Sequence, residues 1–164
     1  LMAKNKEEKT NVMRVLEQKK IAYTAHTYPH EEGMAVDGVT VAKSMGFDPA
    51  AVFKTLVARG ASKQYYVFDV PVAENLDLKK AAKAVGEKSI EMIHQKELLP
   101  LTGYVHGGCS PVGMKKLFPT VIDASAENLE TMIVSAGKIG YQVELAPRDL
   151  AALVRAKLAD LIAE

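Results

Sequence analysis

The sequence predicts an α+β fold with a mixed, mostly antiparallel sheet. Strand patterns occur mainly as hairpins and short runs, with helical patterns interspersed among them and concentrated at both ends. The chain has 164 residues, of which 48% are hydrophobic, a length that suits one well-buried core and is short for two. Because no internal repeat, low-complexity tract or linker is evident, we expect a single domain over residues 1–164.

The first third of the chain alternates helical and extended patterns. Lys6–Lys20 has apolar residues three to four positions apart, which indicates an amphipathic helix. Ile21–Tyr28 is expected to form a strand that leads into a polar loop. Val39–Met45 is typical of a short helix that Gly46 ends, and Asp48-Pro49 is a helix-start signal.

The middle of the chain predicts a hairpin followed by a helix. Val52–Arg59 and Gln64–Val70 are rich in β-branched and aromatic residues and are joined by a turn sequence at Gly60–Lys63. Leu78–Val85 is helical in pattern, with an N-cap within Asn75–Asp77 and a glycine after its last residue. The lysines of this helix suit either a solvated face or contact with a nucleic-acid backbone.

Short elements continue toward the C-terminus. Ser89–Ile93 is predicted to be a strand, His94–Leu99 a short helix that stops before Pro100, and Thr120–Ile122 another strand. Asp123–Asn128 is predicted to lead the chain away from that last strand.

The final segment predicts a strand pair and a long helix. Thr131–Ser135 and Tyr141–Leu145 are expected to pair through a glycine-containing turn. A helix is then predicted from Ala146-Pro147 to the C-terminus, with an apolar stripe formed by Leu150, Leu153, Val154, Leu158, Leu161 and Ile162. This stripe suits packing on the chain's own sheet or pairing with a second copy, so we expect a monomer or a weak homodimer.

Charge and cysteine content limit the possible classes of function. A single cysteine excludes an internal disulfide framework, and the lack of a long apolar run or signal-like N-terminus predicts a cytoplasmic protein without a membrane span. The formal net charge is only +1, whereas a protein that holds a long stretch of nucleic acid alone is strongly basic. Contact with nucleic acid is therefore expected to be local or shared with a partner.

Lys54 occupies an unusual position in the predicted strand Val52–Arg59. A period of two places it in a row with Val52, Leu56 and Ala58, which are all apolar. The lysine either lies at an edge and extends its ammonium to water, or lines a cleft and holds a phosphate or carbonyl oxygen. The pattern alone leaves both interpretations open.

The segment Gly103–Lys116 is the strongest candidate for chemistry. Three glycines, a serine and a proline fall close together within it, so its backbone can turn sharply and approach a ligand. The same composition also suits a plain connection between two elements. The segment lacks the glycine-lysine-serine/threonine ending of a P-loop, and the four histidines are too scattered to predict a metal site, so no cofactor or metal is expected.

Four segments occur in the order and at the spacing of a known family: Phe53–Leu56, Leu76–Ala82, Thr102–Gly113 and Val134–Lys138. On these residues the chain resembles the YbaK/EbsC family, with similarity from about His26 to Leu150. That family belongs to the aminoacyl-tRNA editing domains related to the insertion domain of bacterial prolyl-tRNA synthetase. Its YbaK branch removes cysteine wrongly attached to proline tRNA.

The resemblance implies a barrel-like sheet flanked by helices, and a deacylase that acts on the 3′ end of aminoacyl-tRNA, with prolyl-tRNA synthetase as a possible partner. It makes Lys54 the essential lysine that binds the tRNA end. It places Gly107 and Gly108 in the substrate loop, where their N–H groups are suited to stabilising the carbonyl oxygen of the ester. It assigns substrate binding to Tyr28, Thr55, Ser110, Pro111, Gly113 and Ser135. The family commonly has an aromatic residue where this chain has Asp37.

The resemblance also implies that the substrate cysteine attacks its own carbonyl, so that no protein nucleophile is needed. His106 and Cys109 offer an alternative, because a thiolate with a histidine base is a known solution for acyl transfer. Two further alternatives are deacylation of another mischarged tRNA such as Ala-tRNA(Pro), and a non-catalytic module that binds an aminoacyl or nucleotide ligand.

Overall fold

The computed structural model describes residues 9–164, which form helices and two β-sheets. The helices are α1 (Asn11–Gln18), α2 (Gly38–Ser44), α3 (Leu78–Val85), α4 (Gln95–Thr102) and α5 (Pro147–Val154), with 3₁₀ turns at Pro49–Ala51 and Ala124–Asn128. The strands are β1 (Thr24–Thr27), β2 (Phe53–Gly60), β3 (Tyr65–Pro71), β4 (Ile90–Met92), β5 (Thr120–Asp123), β6 (Met132–Ser135), β7 (Tyr141–Leu145) and β8 (Lys157–Ala159). None of the helices in this described range has the length and apolarity needed to cross a membrane.

The strands form a five-stranded sheet in the order β4-β2-β3-β5-β8 and a three-stranded sheet in the order β1-β7-β6. Pairing is parallel between β3 and β5 and between β5 and β8, and antiparallel elsewhere in both sheets. The prediction of an α+β fold with a mixed, mostly antiparallel sheet is therefore confirmed. The two sheets meet at a single parallel bridge between Val52 and Ile133, so they do not close into the expected barrel.

Alternation along β2 and β3 buries both faces of the five-stranded sheet. Val57 and Val67 face a large core shared with α1, α5 and the three-stranded sheet. Ala58 and Phe68, one position further along each strand, face a second core beneath α3. Period-two geometry explains the division, since successive side chains in a strand point to opposite faces.

Local capping explains where the shorter helices begin. Thr10 accepts a hydrogen bond from the Met13 N–H at 3.2 Å, so α1 begins at Asn11, and the predicted start at Lys6 lies outside the described residues. Asp77 caps α3 as predicted, accepting hydrogen bonds from two backbone N–H groups of the first turn. Gly86 ends that helix in the left-handed conformation that glycine adopts most readily.

Two predicted boundaries in this part of the chain are wrong. The N-terminal strand is shorter than Ile21–Tyr28, because only Thr24–Thr27 pairs with β7. α4 continues through Pro100 to Thr102 instead of stopping at Leu99. The last turn is held by the Thr102 hydroxyl, which donates to the Leu98 carbonyl at 2.8 Å, and by the Gly103 N–H, which donates to the Leu99 carbonyl at 2.8 Å.

The prediction of a helix from Ala146-Pro147 to the C-terminus is also wrong. α5 ends at Val154, and Arg155 adopts the left-handed conformation with φ of 57°. The chain then forms β8, which pairs in parallel with β5. The backbone N–H of Leu161 donates to the Asp123 carboxylate at 2.9 Å, which helps to hold the terminal segment against the sheet. The apolar residues of the predicted stripe up to Val154 lie in α5, and those from Leu158 onward lie in an extended segment.

Candidate functional site

A cavity of about 460 Å³ opens beside the beginning of β2. One wall is Val52–Leu56, and the others come from the segment before α2, the loop after α4 and the three-stranded sheet. Its volume lies within the range typical of small-ligand sites. The cavity is therefore large enough to be the predicted substrate site.

The structure brings five of the predicted site residues to this cavity: Tyr28, Lys54, Thr55, Gly107 and Ser135. Among the described residues, the cavity wall does not include Gly108, Ser110, Pro111 or Gly113. The Ser110 hydroxyl is fully buried and accepts a hydrogen bond from the Val112 N–H at 3.2 Å. Ser110, Pro111 and Gly113 therefore lie outside the cavity wall, and Ser110 is packed in the interior of the protein.

Lys54 supplies the positive charge of the cavity. Its ammonium makes no ion pair or hydrogen bond with any of the residues 9–164. Burial lowers the pKa of Lys54, while the negative charges of Asp37 and Glu74 act in the opposite direction. Of the two sequence interpretations, the structure favours the lysine that lines a cleft. An ammonium in such a setting is suited to binding a phosphate or a carbonyl oxygen.

Asp37 is a cavity residue whose role the sequence did not reveal. Its carboxylate caps α2, accepting hydrogen bonds from the Thr40 N–H at 3.1 Å and the Thr40 hydroxyl at 3.2 Å. It also places a negative charge near Lys54. An aspartate three residues before a threonine is a recognisable N-cap signal, but its proximity to Lys54 depends on the tertiary fold.

Gly107 and Gly108 differ in whether the backbone N–H group makes a hydrogen bond. The Gly108 N–H donates to the Val105 carbonyl at 3.0 Å, which closes a turn with Gly107 at φ of 89°. A positive φ at the third position of a four-residue turn is a requirement of the type II turn. The Gly108 N–H is therefore already committed to Val105, and a role of both amides in stabilising an oxyanion stays a prediction. The Gly107 N–H has no partner within the described part of the chain.

Close packing adds a second reason for glycine at position 107. A Cβ atom there would lie 2.7 Å from the Cβ of Ala35, which also lines the cavity. A Cβ at Gly108 would lie 3.1 Å from the backbone nitrogen of Ile139. The two glycines thus allow the loop to lie directly against neighbouring segments.

Ser135 ties the three-stranded sheet to this loop. Its hydroxyl donates to the Gly108 carbonyl at 2.9 Å and accepts a hydrogen bond from the Gly137 N–H at 3.1 Å. Tyr104 braces the same loop from inside, since its hydroxyl donates to the Val112 carbonyl. These bonds fix the backbone that carries Gly107.

Thr55 lines the cavity and contacts a carboxyl group behind it. The Thr55 hydroxyl lies 2.5 Å from Oδ1 of Asp69, which is the paired residue on β3 and is fully buried. Burial raises the pKa of Asp69 to about 7, and the bond from Thr55 partly opposes this shift. Sequence reasoning missed Asp69 because its strand pattern gives no sign that the carboxyl faces a core.

Cys109 and His106 both line the cavity, but the cysteine is poorly suited to act as a nucleophile. Burial raises the pKa of the Cys109 thiol to about 12, and the charge of Asp69 acts in the same direction. No hydrogen bond joins Cys109 to His106 within residues 9–164. A thiol with such a high pKa holds little of the reactive thiolate at neutral pH.

The family assignment follows from comparison with known proteins. A model of the aminoacyl-tRNA editing domain matches residues 30–153, which include the whole cavity-forming part of β2 and the glycine-rich loop. The chain belongs to the aminoacyl-tRNA editing domain family.

Relatives of this editing domain agree with the assignment. A protein of Enterococcus faecalis, provisionally named Cys-tRNA(Pro)/Cys-tRNA(Cys) deacylase EbsC, is 44% identical over 161 residues, covering 98% of each chain. A proline–tRNA ligase of Shouchella clausii is 28% identical over 100 residues, covering 61% of this chain and 17% of the ligase. A crystal structure provisionally described as a trans-editing enzyme for prolyl-tRNA synthetase superposes with a TM-score of 0.78 at 26% identity, covering 93% of this chain and 95% of that one.

Gln142 is a further polar residue on the editing-domain cavity wall that the sequence did not single out. Its side chain is buried, and Oε1 has no hydrogen-bond partner among the residues described. A buried amide oxygen without a partner is uncommon in a folded protein, and this one is suited to accept a hydrogen bond from a ligand. Over the same residues, no group of three or more His, Cys, Asp and Glu side chains is arranged to hold a metal ion.

Proposed function

We propose that this protein releases cysteine from mischarged Cys-tRNA(Pro). The observation that carries the proposal is the cavity itself, which combines the ammonium of Lys54 with the amide of Gly107, neither of which has a partner among residues 9–164. A cation and a backbone N–H group in one cavity suit a substrate that has a phosphate at one end and an ester carbonyl at the other. The name of the Enterococcus faecalis relative supports the choice of cysteine and of proline tRNA.

Lys54 acts in this proposal as the anchor of the tRNA 3′ end. Its ammonium holds the terminal phosphate or the ribose, and so fixes the ester relative to the loop. Because burial already lowers the pKa of Lys54, a bound anion restores part of the lost solvation. Tyr28 and Thr55 complete the substrate contacts on neighbouring walls.

Gly107 stabilises the carbonyl oxygen as negative charge develops on it. A preorganised backbone N–H is effective in this role, and removal of one such donor typically reduces the rate by about a hundredfold or more. The Gly108 N–H is committed to Val105, so the proposal assigns oxyanion stabilisation to Gly107 alone. Ser135 keeps the loop in place through the Gly108 carbonyl.

The substrate thiol performs the displacement. Its sulfur attacks the ester carbonyl, the carbon–oxygen bond to ribose breaks, the proton of the thiol passes to the released ribose hydroxyl, and a cyclic thioester leaves. The reaction is intramolecular, so correct positioning gains a large effective concentration. The raised pKa of Cys109, which is about 12, agrees with a mechanism that uses no protein thiolate.

Prolyl-tRNA synthetase is the partner that fits this proposal, and the cytoplasm is the corresponding location. The net charge of +1 gives the editing domain little general affinity for a polyanion, so a synthetase that already holds the tRNA would increase its access. Co-migration of the three components on a sizing column, compared with each pair, tests the partnership.

The decisive experiment incubates the protein with labelled Cys-, Ala- and Pro-tRNA(Pro) in parallel. We expect ester loss above the spontaneous rate for the cysteinyl ester, and loss of this acceleration in Lys54→Ala. Lys96→Ala is a matched control, because Lys96 is exposed, outside the cavity wall and in a helix that tolerates alanine. Faster loss of alanine than of cysteine, or no acceleration of any ester, would refute the proposal.

A further inference from the structure

Asp69, which is buried, pairs with the half-buried Thr55, and the proposed chemistry gives this carboxyl no role. Asp69 has no exposed surface, and its Oδ1 lies 2.5 Å from the Thr55 hydroxyl. Its second oxygen, Oδ2, has no hydrogen-bond partner among residues 9–164. The charge of Asp69 also acts on the Cys109 thiol, in the loop after α4, and raises its pKa. A carboxyl group in such a setting calls for a reason beyond packing, because burial opposes its charge.

The direction of the hydrogen bond follows from the chemistry of the two groups. An ionised carboxylate has no proton, so the Thr55 hydroxyl must donate to Asp69. A hydroxyl has only one proton, so once it donates to Asp69, the Thr55 oxygen can only accept further hydrogen bonds. Because Thr55 lines the cavity, it presents an acceptor oxygen to a ligand when Asp69 is ionised, and the carboxylate then lies next to the same hydroxyl.

The cavity is therefore polarised. Lys54 and Thr55 are successive residues of β2, so their side chains leave the strand on opposite faces, and both residues line the cavity. The ammonium of Lys54 marks one side as suited to an anion. Thr55 and Oε1 of Gln142, which has no hydrogen-bond partner among the described residues, are acceptors in the cavity wall and suit a hydrogen-bond donor.

We propose that Thr55, held as an acceptor by the positioning residue Asp69, recognises the α-ammonium of the aminoacyl group. This assignment rests on the proposed function and adds the orientation of the substrate, with the phosphate toward Lys54 and the amino group toward Thr55. The ammonium is the cationic donor of an aminoacyl ester, and an acceptor backed by a carboxylate favours a cation. Binding is reciprocal, since a cation at Thr55 stabilises the ionised form of Asp69.

The test compares Cys-tRNA(Pro) with 3-mercaptopropionyl-tRNA(Pro), which has the same thiol and ester but lacks the amino group. For each ester the measured quantity is kcat/KM divided by the spontaneous rate constant, and the amino preference is the ratio of the two values. We expect the wild-type protein to favour the cysteinyl ester at least about tenfold, the usual scale of a charge-assisted hydrogen bond.

Variants separate recognition from folding. Asp69→Asn can donate to Thr55 and turn its proton toward the ligand, and Thr55→Val removes the acceptor, so both should lower the amino preference toward unity. Thr55→Ser should retain it. A structural defect alone would slow both esters equally and leave the ratio unchanged. If Asp69→Asn fails to fold, the two Thr55 variants still decide the question.

The outcomes also separate this assignment from the proposed function. Acceleration of both esters with a wild-type ratio near unity, or with a ratio that Thr55→Val leaves unchanged, would overturn the recognition of the ammonium and leave the deacylase proposal standing. A wild-type protein that accelerates neither ester would overturn both.

Discussion

The Ser135 hydroxyl donates to the Gly108 carbonyl at 2.9 Å, and this bond joins the end of β6 to the loop that carries Gly107. The same oxygen accepts from the Gly137 N–H at 3.1 Å. One side chain thus holds two segments that meet at the cavity. The bond from Ser135 to the Gly108 carbonyl therefore helps to hold the backbone next to the Gly107 amide.

Ser135→Ala should destabilise the protein and reduce deacylation. Loss of two hydrogen bonds at a half-buried site is expected to cost about 1–2 kcal/mol in the free energy of unfolding, measured by urea denaturation. The rate should fall about tenfold, because the Gly107 amide loses its fixed position. Ser125→Ala is the matched control: the Ser125 hydroxyl is buried and has no hydrogen-bond partner in the described part of the chain, so its removal should leave stability unchanged or raise it. Equal losses in both variants would contradict this role of Ser135.

Gly107→Ala should impair the protein for two separable reasons. The backbone has φ of 89°, which disfavours any side chain, and the added Cβ would lie 2.7 Å from Ala35. Gly46→Ala is the control, because Gly46 has φ of 76° and nothing within 4 Å of an added Cβ. The backbone effect alone should cost about 1 kcal/mol in Gly46→Ala.

In Gly107→Ala the cost should be larger, and deacylation should fall by about a hundredfold as the loop moves away from the ester. Thermal unfolding and single-turnover rates measure the two effects. Similar stabilities and rates in the two variants would show that contact with Ala35 does not determine the loop position.

Asp69→Asn should change how stability depends on pH. The pKa of Asp69 is raised from 3.8 to about 7 by burial, so the folded wild-type protein holds this proton more tightly than the unfolded chain. Protonated Asp69 therefore adds to the free energy of unfolding of the wild-type protein. This stabilisation is complete below about pH 4 and is lost as the pH rises through about 7. Over that interval the wild-type protein should lose about 4 kcal/mol relative to Asp69→Asn.

Urea denaturation of both proteins across this pH interval measures the difference. Asparagine cannot ionise, so the variant should lack this component of the pH dependence. Parallel stability curves for the two proteins would contradict a raised pKa at Asp69.

The sequence was sufficient for the parts of the site that depend on local pattern. Lys54 interrupts an apolar row and Gly107 lies in a glycine-rich turn, and both features can be recognised without a fold. Asp69 was missed because only the tertiary structure shows that its strand is covered on both faces. Asp37 was missed as a neighbour of Lys54 for the same reason, since the interaction joins segments that are distant in sequence.

For the fold too, features with a local sequence pattern were predictable, and features that join distant segments were not. The hairpin of β2 and β3 was predictable, because a short turn sequence lies between two β-rich runs. The parallel pairing of β5 with β8 was not, because it joins segments more than thirty residues apart and leaves no local signal. Leu158, Leu161 and Ile162 continue the spacing of α5, so periodicity favoured one long helix over a helix followed by a strand.

Arg155→Gly distinguishes these two descriptions of the C-terminal segment by the sign of its effect. Arg155 has φ of 57°, a conformation that costs a non-glycine residue about 1 kcal/mol, so glycine should raise the free energy of unfolding by up to that amount. In the interior of a continuous helix the same substitution would lower stability by about 1 kcal/mol. Ala151→Gly, within α5, serves as the control and should be destabilising. Urea denaturation of both variants gives the signs, and a loss of stability in Arg155→Gly would favour the continuous helix over β8.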